Sequence, residues 1–209
     1  MRTVLISDIH GNLQGLLDTL VEIEVLDCER ILCLGDIVDG GTDDDELKII
    51  EELQRREIPI VRGNHDEHHA VHYRDWRKQF LTDLPERIEL DGNLLVHISP
   101  GKRQATMKVP TDAWIAMDDS DYPISFVGHL HFPIIYGLKN DRPCEAKTHA
   151  FEYDVPFQLD REDRYIICVG AIGYSRDAMH KIRYAVFDDE AYTIEYKIGE
   201  IFGEIKNKF

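Results

Sequence analysis

Residues 3–7 form a short apolar run rich in β-branched side chains, and Leu13, Leu16, Leu17, Leu20 and Ile23 then recur at helical i, i+3, i+4 spacing. The chain therefore opens as strand, loop, helix, with Asn12 placed to cap the helix. The unit repeats: a strand over 31–34, a loop over 35–41, and a helix over about 43–56 with Leu47, Ile50 and Leu53 on one face and an acidic first turn. A third strand is expected over 58–61, followed by the loop Gly63-Asn64-His65-Asp66 and one helix carrying Ala70, Tyr73, Trp76 and Phe80, which ends near Pro85. Such alternation implies βαβ units, parallel strands and ligand-binding loops at the strand C-termini.

Beyond Pro85 the pattern changes. Residues 88–90 and 94–98 flank Asp91-Gly92 as a hairpin, and 124–127, 165–169, 182–187 and 192–198 are further strands, expected together in a second, largely antiparallel sheet. Asp188-Asp189-Glu190 marks the last hairpin turn. Residues 101–122, with a short helix over 113–117, and residues 139–163 show no sustained period and read as long loops.

Composition narrows the class. With 209 residues and a mass of 24.2 kDa, the chain 1–209 is expected to form a single domain. Lys and Arg total 24 against 40 Asp and Glu, a formal charge of −16. That balance argues against a partner such as long nucleic acid or anionic lipid, which is held by a basic face. No run approaches the roughly 18 apolar residues of a membrane span. Met1-Arg2 leads straight into the first apolar run without a signal-peptide pattern, so a cytoplasmic address is expected. Cys28, Cys33, Cys144 and Cys168 lie in or beside apolar runs without a C-x-x-C pair and read as reduced core residues.

The candidate chemistry sits at strand ends. Asp8-Ile9-His10, Gly35-Asp36-Ile37-Val38-Asp39, Gly63-Asn64-His65-Asp66, His97 and Gly128-His129-Leu130-His131 each follow an apolar run. Carboxylate and amide oxygens with imidazole nitrogens suit Mn, Fe, Zn or Ni, and the absence of thiolates argues against a closed structural zinc site. Two divalent ions would invert the local field of an acidic protein, polarise phosphoryl oxygens and lower the pKa of bound water from 15.7 toward roughly 7. Phosphoester hydrolysis is the matching reaction. His68, His69 and His72 read as solvated helix residues, and Asp66 as either a helix cap or a functional group.

The same motifs, in this order, resemble the calcineurin-like metallophosphoesterase family, in its small prokaryotic-type branch. The resemblance implies an α/β fold, a four-layer α/β/β/α sandwich of two mixed sheets with a dinuclear site at the sheets' C-terminal edge. It implies that Asp8, His10, Asp36 and His131 hold one metal and Asp36, Asn64, His97 and His129 the other, with Asp36 bridging. Two divalent transition-metal ions follow, manganese foremost, with iron, zinc or nickel as alternatives. His65 remains free as general acid or charge stabiliser, oriented by Asp39, and the implied chemistry is in-line attack on phosphorus by a metal-bound hydroxide. The substrate class is a small phosphomonoester, phosphodiester or nucleotide. A Ser/Thr-type protein phosphatase is the alternative activity, but such enzymes usually carry Arg and Glu where this chain has Gly40 and Asp66. A non-catalytic scaffold, such as the retromer subunit of similar architecture, typically loses ligands that are kept here. Leu130 replaces a common Thr, and Ile98 a common Gly. Residues 170–177 resemble a degraded form of the family's late glycine-rich segment and nominate Arg176 as a substrate contact. Lys102 and Arg103, after His97, are further cations placed to meet an anionic substrate.

Overall fold

Apolar runs become strands and periodic runs become helices in the computed structural model, which describes residues 1–39, 43–102, 105–174, 176 and 181–200. In chain order these are β1 (Arg2–Ile6), α1 (Leu13–Glu24), β2 (Arg30–Cys33), α2 (Asp43–Arg55), α3 (Asn64–Ala70), α4 (Trp76–Asp83), β3 (Arg87–Leu90), β4 (Asn93–Val96), α5 (Pro110–Asp118), β5 (Ile124–Val127), β6 (Pro133–Leu138), β7 (Ala146–His149), β8 (Phe157–Gln158), β9 (Arg164–Val169), β10 (Lys181–Asp188) and β11 (Thr193–Glu200). Asn12 caps α1 as expected, its side-chain oxygen accepting from the Gly15 N–H at 3.0 Å. The single helix expected after Asn64 is divided into α3 and α4, because Asp75 restarts it by accepting from the Arg77 N–H at 3.0 Å.

The first sheet has the order β2-β1-β10-β11-β8 and the second β3-β4-β5-β9-β6-β7. Both are mixed. β1 runs parallel to β2 but antiparallel to β10, while β4, β5 and β9 run parallel between antiparallel neighbours. Three expectations about strands are corrected. The last two strands, β10 and β11, complete the first sheet instead of joining the second, with Val4 opposite Val186. β1 is apolar on both faces and so lies in a sheet covered on both sides, but that pattern does not say which strands flank it. The strand expected over 58–61 shrinks to one parallel bridge between Cys33 and Ile60, because Pro59 offers its carbonyl to Cys33 but has no N–H to extend the ladder. The stretch 139–163 also contributes β7 and β8.

Alternate residues of a strand serve different clusters. Val4 and Ile6 pack with Leu16, Leu20, Ile50 and Leu53 of α1 and α2, whereas Leu5 joins Phe126, Ile167 and Val169 of the second sheet. Ile166 and Cys168 of β9 turn to Ala113 and Met117 of α5. Each fully buried Leu or Ile here contributes about 1.5–3 kcal/mol. Cys33 and Cys168 are buried as expected, but Cys144 is exposed. No helix among the described residues is long and apolar enough to cross a membrane.

The C-terminal ends of β1, β2, β4 and β5 are tied to one another. The N–H of Asp8 donates to Gly35 O at 2.9 Å, that of His10 to Asp36 O at 2.9 Å, and that of Gly128 to His97 O at 2.9 Å. The loops that follow these strands are thereby gathered at one edge.

Candidate metal centre

The gathered loops bend sharply. Asp8, His10, Asp36, His129 and His131 all adopt positive φ, between 48° and 64°, a region that non-glycine residues seldom occupy. Concentration of this strain on five of the seven expected ligand residues marks a functional site. Two glycines allow the close approach: a Cβ on Gly63 would lie 2.0 Å from Asp36 Oδ1, and one on Gly128 2.0 Å from Ser7 Oγ.

Two sets of ligand atoms result. Asp8, His10 and His131 form one, with His131 Nε2 at 3.3 Å from Asp8 Oδ1 and at 3.1 Å from His10 Nε2. Asp36, His97 and His129 form the other, with His97 Nε2 at 3.0 Å from Asp36 Oδ2 and Asn64 Oδ1 at 3.0 Å from His129 Nδ1. Asp36 Oδ2 also lies 3.8 Å from His10 Nε2, so this carboxylate stands between the sets. Asp36 Oδ2 and His97 Nε2 are buried without a hydrogen-bond partner. Orphaned donors of this N/O chemistry fit divalent transition-metal ions.

Three of the opposite ring nitrogens are held. His97 Nδ1 donates to Leu34 O at 2.6 Å and His131 Nδ1 to Tyr174 O at 3.2 Å, while Thr106 Oγ1 meets His129 Nε2 at 2.9 Å; His10 Nδ1 lies 3.3 Å from Asp39 Oδ2 without a hydrogen bond. Such partners fix tautomer and ring orientation at metal sites.

Burial and charge pull against each other here. Burial works against a charged His10, yet Asp39 and Asp8 raise its pKa to about 9. His97 is likewise raised to about 9, burial being outweighed by Asp36 and Asp8. His131 is lowered to about 4, chiefly by burial, and burial also lowers His129. Burial acts to raise the Asp8 and Asp36 carboxyls, but the surrounding imidazoles hold both below their ordinary value.

His65 stands beside the ligand sets, its ring edge-on to His10 with centroids 4.9 Å apart and its Nδ1 at 2.9 Å from Asp39 Oδ2. Arg176 is exposed; its charge reaches His131 and His129, lowering both, and its backbone N–H donates to His131 O at 3.3 Å. Arg103 and Gly40 lie outside the described residues, and Lys102 is exposed, 4.0 Å from Asp119.

Asp66, read as either a helix cap or a functional group, caps α3: fully buried, it accepts from the Gly63 N–H at 2.8 Å, and it also accepts from the N–H groups of Asp36, Ile37 and Val38 at 2.8–3.3 Å, joining the segments that carry Asp36 and Asn64. Other contributors escaped the sequence reading. Tyr174 lays its ring 4.5 Å from that of His131. His68 and His72 are exposed as expected, but His69 is not merely solvated: its Nε2 lies 2.8 Å from Asp39 Oδ1. Only the one-turn spacing from His65 to His69 hinted at this.

Comparison with known proteins points to one family. The sequence profile of the calcineurin-like phosphoesterase superfamily domain matches residues 1–191. The uncharacterized protein MJ0912 of Methanocaldococcus jannaschii is 29% identical over 215 residues, covering 91% of this chain and 84% of that protein. A metallophosphoesterase crystal structure from Sphaerobacter thermophilus has a TM-score of 0.81 and 28% identity, covering 96% of this chain and 89% of its own. The hypothetical protein PH1004 from Pyrococcus horikoshii shares the fold, with a TM-score of 0.65 at 18% identity over 98% of this chain and 89% of its own.

Proposed function

The chain belongs to the calcineurin-like phosphoesterase superfamily, and on that premise we propose that it is a dinuclear divalent-metal-dependent hydrolase of a small phosphomonoester, phosphodiester or nucleotide. Support comes from one observation above others: Asp8, His10 and His131 adjoin Asp36, His97 and His129, and the buried Asp36 Oδ2 and His97 Nε2 have no hydrogen-bond partner. Asp8, His10, Asp36 and His131 would hold one ion, and Asp36, Asn64, His97 and His129 the second. Bound there, divalent ions polarise phosphoryl oxygens and lower the pKa of water.

The protein's own groups supply the rest. The carbonyls of Leu34 and Tyr174 and the hydroxyl of Thr106 keep the imidazoles aimed at the centre. His65, with 36% of its side chain exposed, stands where it can give a proton to the departing alkoxide, with Asp39 Oδ2 2.9 Å from its Nδ1. Arg176 supplies a positive charge on the open side for the anionic substrate.

The test is hydrolysis of p-nitrophenyl phosphate and its bis-ester by protein loaded with Mn²⁺, Ni²⁺, Zn²⁺ or Mg²⁺. Turnover that depends on the metal and falls in His65→Ala at unchanged metal content supports the reading. Full occupancy without turnover on any ester contradicts it.

A further inference from the structure

Among the described residues, one group of ligand atoms shares no residue with either assigned set. His69 follows His65 by four residues on α3, so the two rings lie on one side of the helix, nearly parallel at 15° with centroids 6.1 Å apart. Asp39, from the loop after β2, offers a different oxygen to each: Oδ1 lies 2.8 Å from His69 Nε2, and Oδ2 lies 2.9 Å from His65 Nδ1. One ligand atom from each of the three side chains falls within 4.8 Å of the others.

The approach is short, yet His65 Nδ1, although buried, makes no hydrogen bond. Its N–H direction therefore misses the carboxylate. Asp36 Oδ2 and His97 Nε2 show the same signature, short approach without hydrogen-bond alignment, within the ligand set described above. A spherical cation imposes no such alignment, and a group of two imidazoles and one carboxylate presents donors that it can share. The exposures of the three side chains, 28% for Asp39, 36% for His65 and 25% for His69, leave a route for an ion from solvent. The rings of His68 and His72 lie 5.2 and 5.7 Å from that of His69 and buttress it toward Asp39.

We propose that Asp39, His65 and His69 form a third, weaker site for a divalent transition-metal ion. Two imidazoles and a single carboxylate favour borderline ions such as Zn²⁺, Ni²⁺ or Co²⁺ over Mg²⁺ or Ca²⁺, and three protein ligands leave positions for water. The functional consequence rests on the reading of His65 given above. An ion held there by His65 Nδ1 and Asp39 would tie both side chains to itself and withdraw them from the roles given above. Excess transition metal then inhibits an enzyme that needs metal to work.

Co²⁺ titration of the metal-free full-length chain, with equilibrium dialysis and elemental counting, tests the site in wild type, His69→Ala and His69→Gln. The expected result is three ions per wild-type chain, the third bound most weakly, and two in either variant; with Mg²⁺, wild type and variants give equal counts. Equal Co²⁺ counts in wild type and both variants overturn the proposal. A wild-type count below two contradicts the reading of the main centre instead, so the two failures are distinguishable. Activity is the second readout: filling the third site lowers wild-type turnover about 10-fold or more. The same excess of Co²⁺ leaves each His69 variant at its own plateau, and a parallel decline in the variants overturns the inhibitory role.

Discussion

His97 Nε2 stands 3.0 Å from Asp36 Oδ2, both atoms buried and neither engaged in a hydrogen bond. A donor pair left this way costs free energy unless a positive charge satisfies it. Asp36→Asn removes half of that pair and the charge shared by both ligand sets. The expected outcome is loss of bound metal and a fall in turnover of about 100-fold or more, read by elemental counting alongside hydrolysis of bis-p-nitrophenyl phosphate. Retention of both ions by the variant would remove Asp36 from its bridging role.

Asp66 has a structural job that follows from its four backbone donors. Asp66→Ala leaves those buried N–H groups without an acceptor and should destabilise the metal-free protein by about 3 kcal/mol or more, measured by urea unfolding. A loss below the level of an ordinary surface substitution would show that the loops hold together without it.

His10 and His97, each raised to about 9 from 6.5, set a pH dependence whose sign is fixed. A histidine with a raised folded-state pKa stabilises fully below its unfolded value, and that contribution is lost as pH rises through the folded value. The metal-free protein should therefore lose stability from about pH 6.5 to 9. His131, held near 4, adds no slope in that window. Bound ions replace these protons, so apparent metal affinity rises over the same range and the loaded protein does not follow the decline. Melting temperatures with and without chelator, taken across the window, test this; parallel profiles would show that the ions bind elsewhere.

Thr106 meets His129 Nε2 at 2.9 Å and so touches a ring of the proposed centre from outside it. Thr106→Val keeps the shape and removes the hydroxyl. Metal affinity should weaken by about 10-fold, with little change in unfolding free energy, since neither partner is fully buried. An unchanged titration curve would exclude the hydroxyl from ring positioning.

Much of the centre was legible in the sequence because its residues directly follow apolar runs, and parallel strands deliver such residues to one edge. Asp8, His10, Asp36, Asn64, His97, His129 and His131 are all brought there. The sheet membership of β10 and β11 was not legible, since alternation records which faces are buried and not which neighbour buries them. Pro59 was the overlooked signal that the third strand could not extend. Thr106 and Tyr174 act through positions set by tertiary folding in stretches without a period, and His69 through the partner that the β2 loop swings toward it. Apart from the one-turn spacing of His65 and His69, no sequence spacing announces these contacts.

The most direct measurement is the rate of bis-p-nitrophenyl phosphate and p-nitrophenyl phosphate hydrolysis by wild type and Asp36→Asn, with bound metal counted on the same samples. Two ions per wild-type chain before the weak site fills, turnover abolished by chelation and restored by Mn²⁺, and loss of both metal and turnover in the variant are the predicted results. A fully loaded wild type that hydrolyses neither ester, nor any mono-, di- or pyrophosphate ester in a wider panel, would contradict the account.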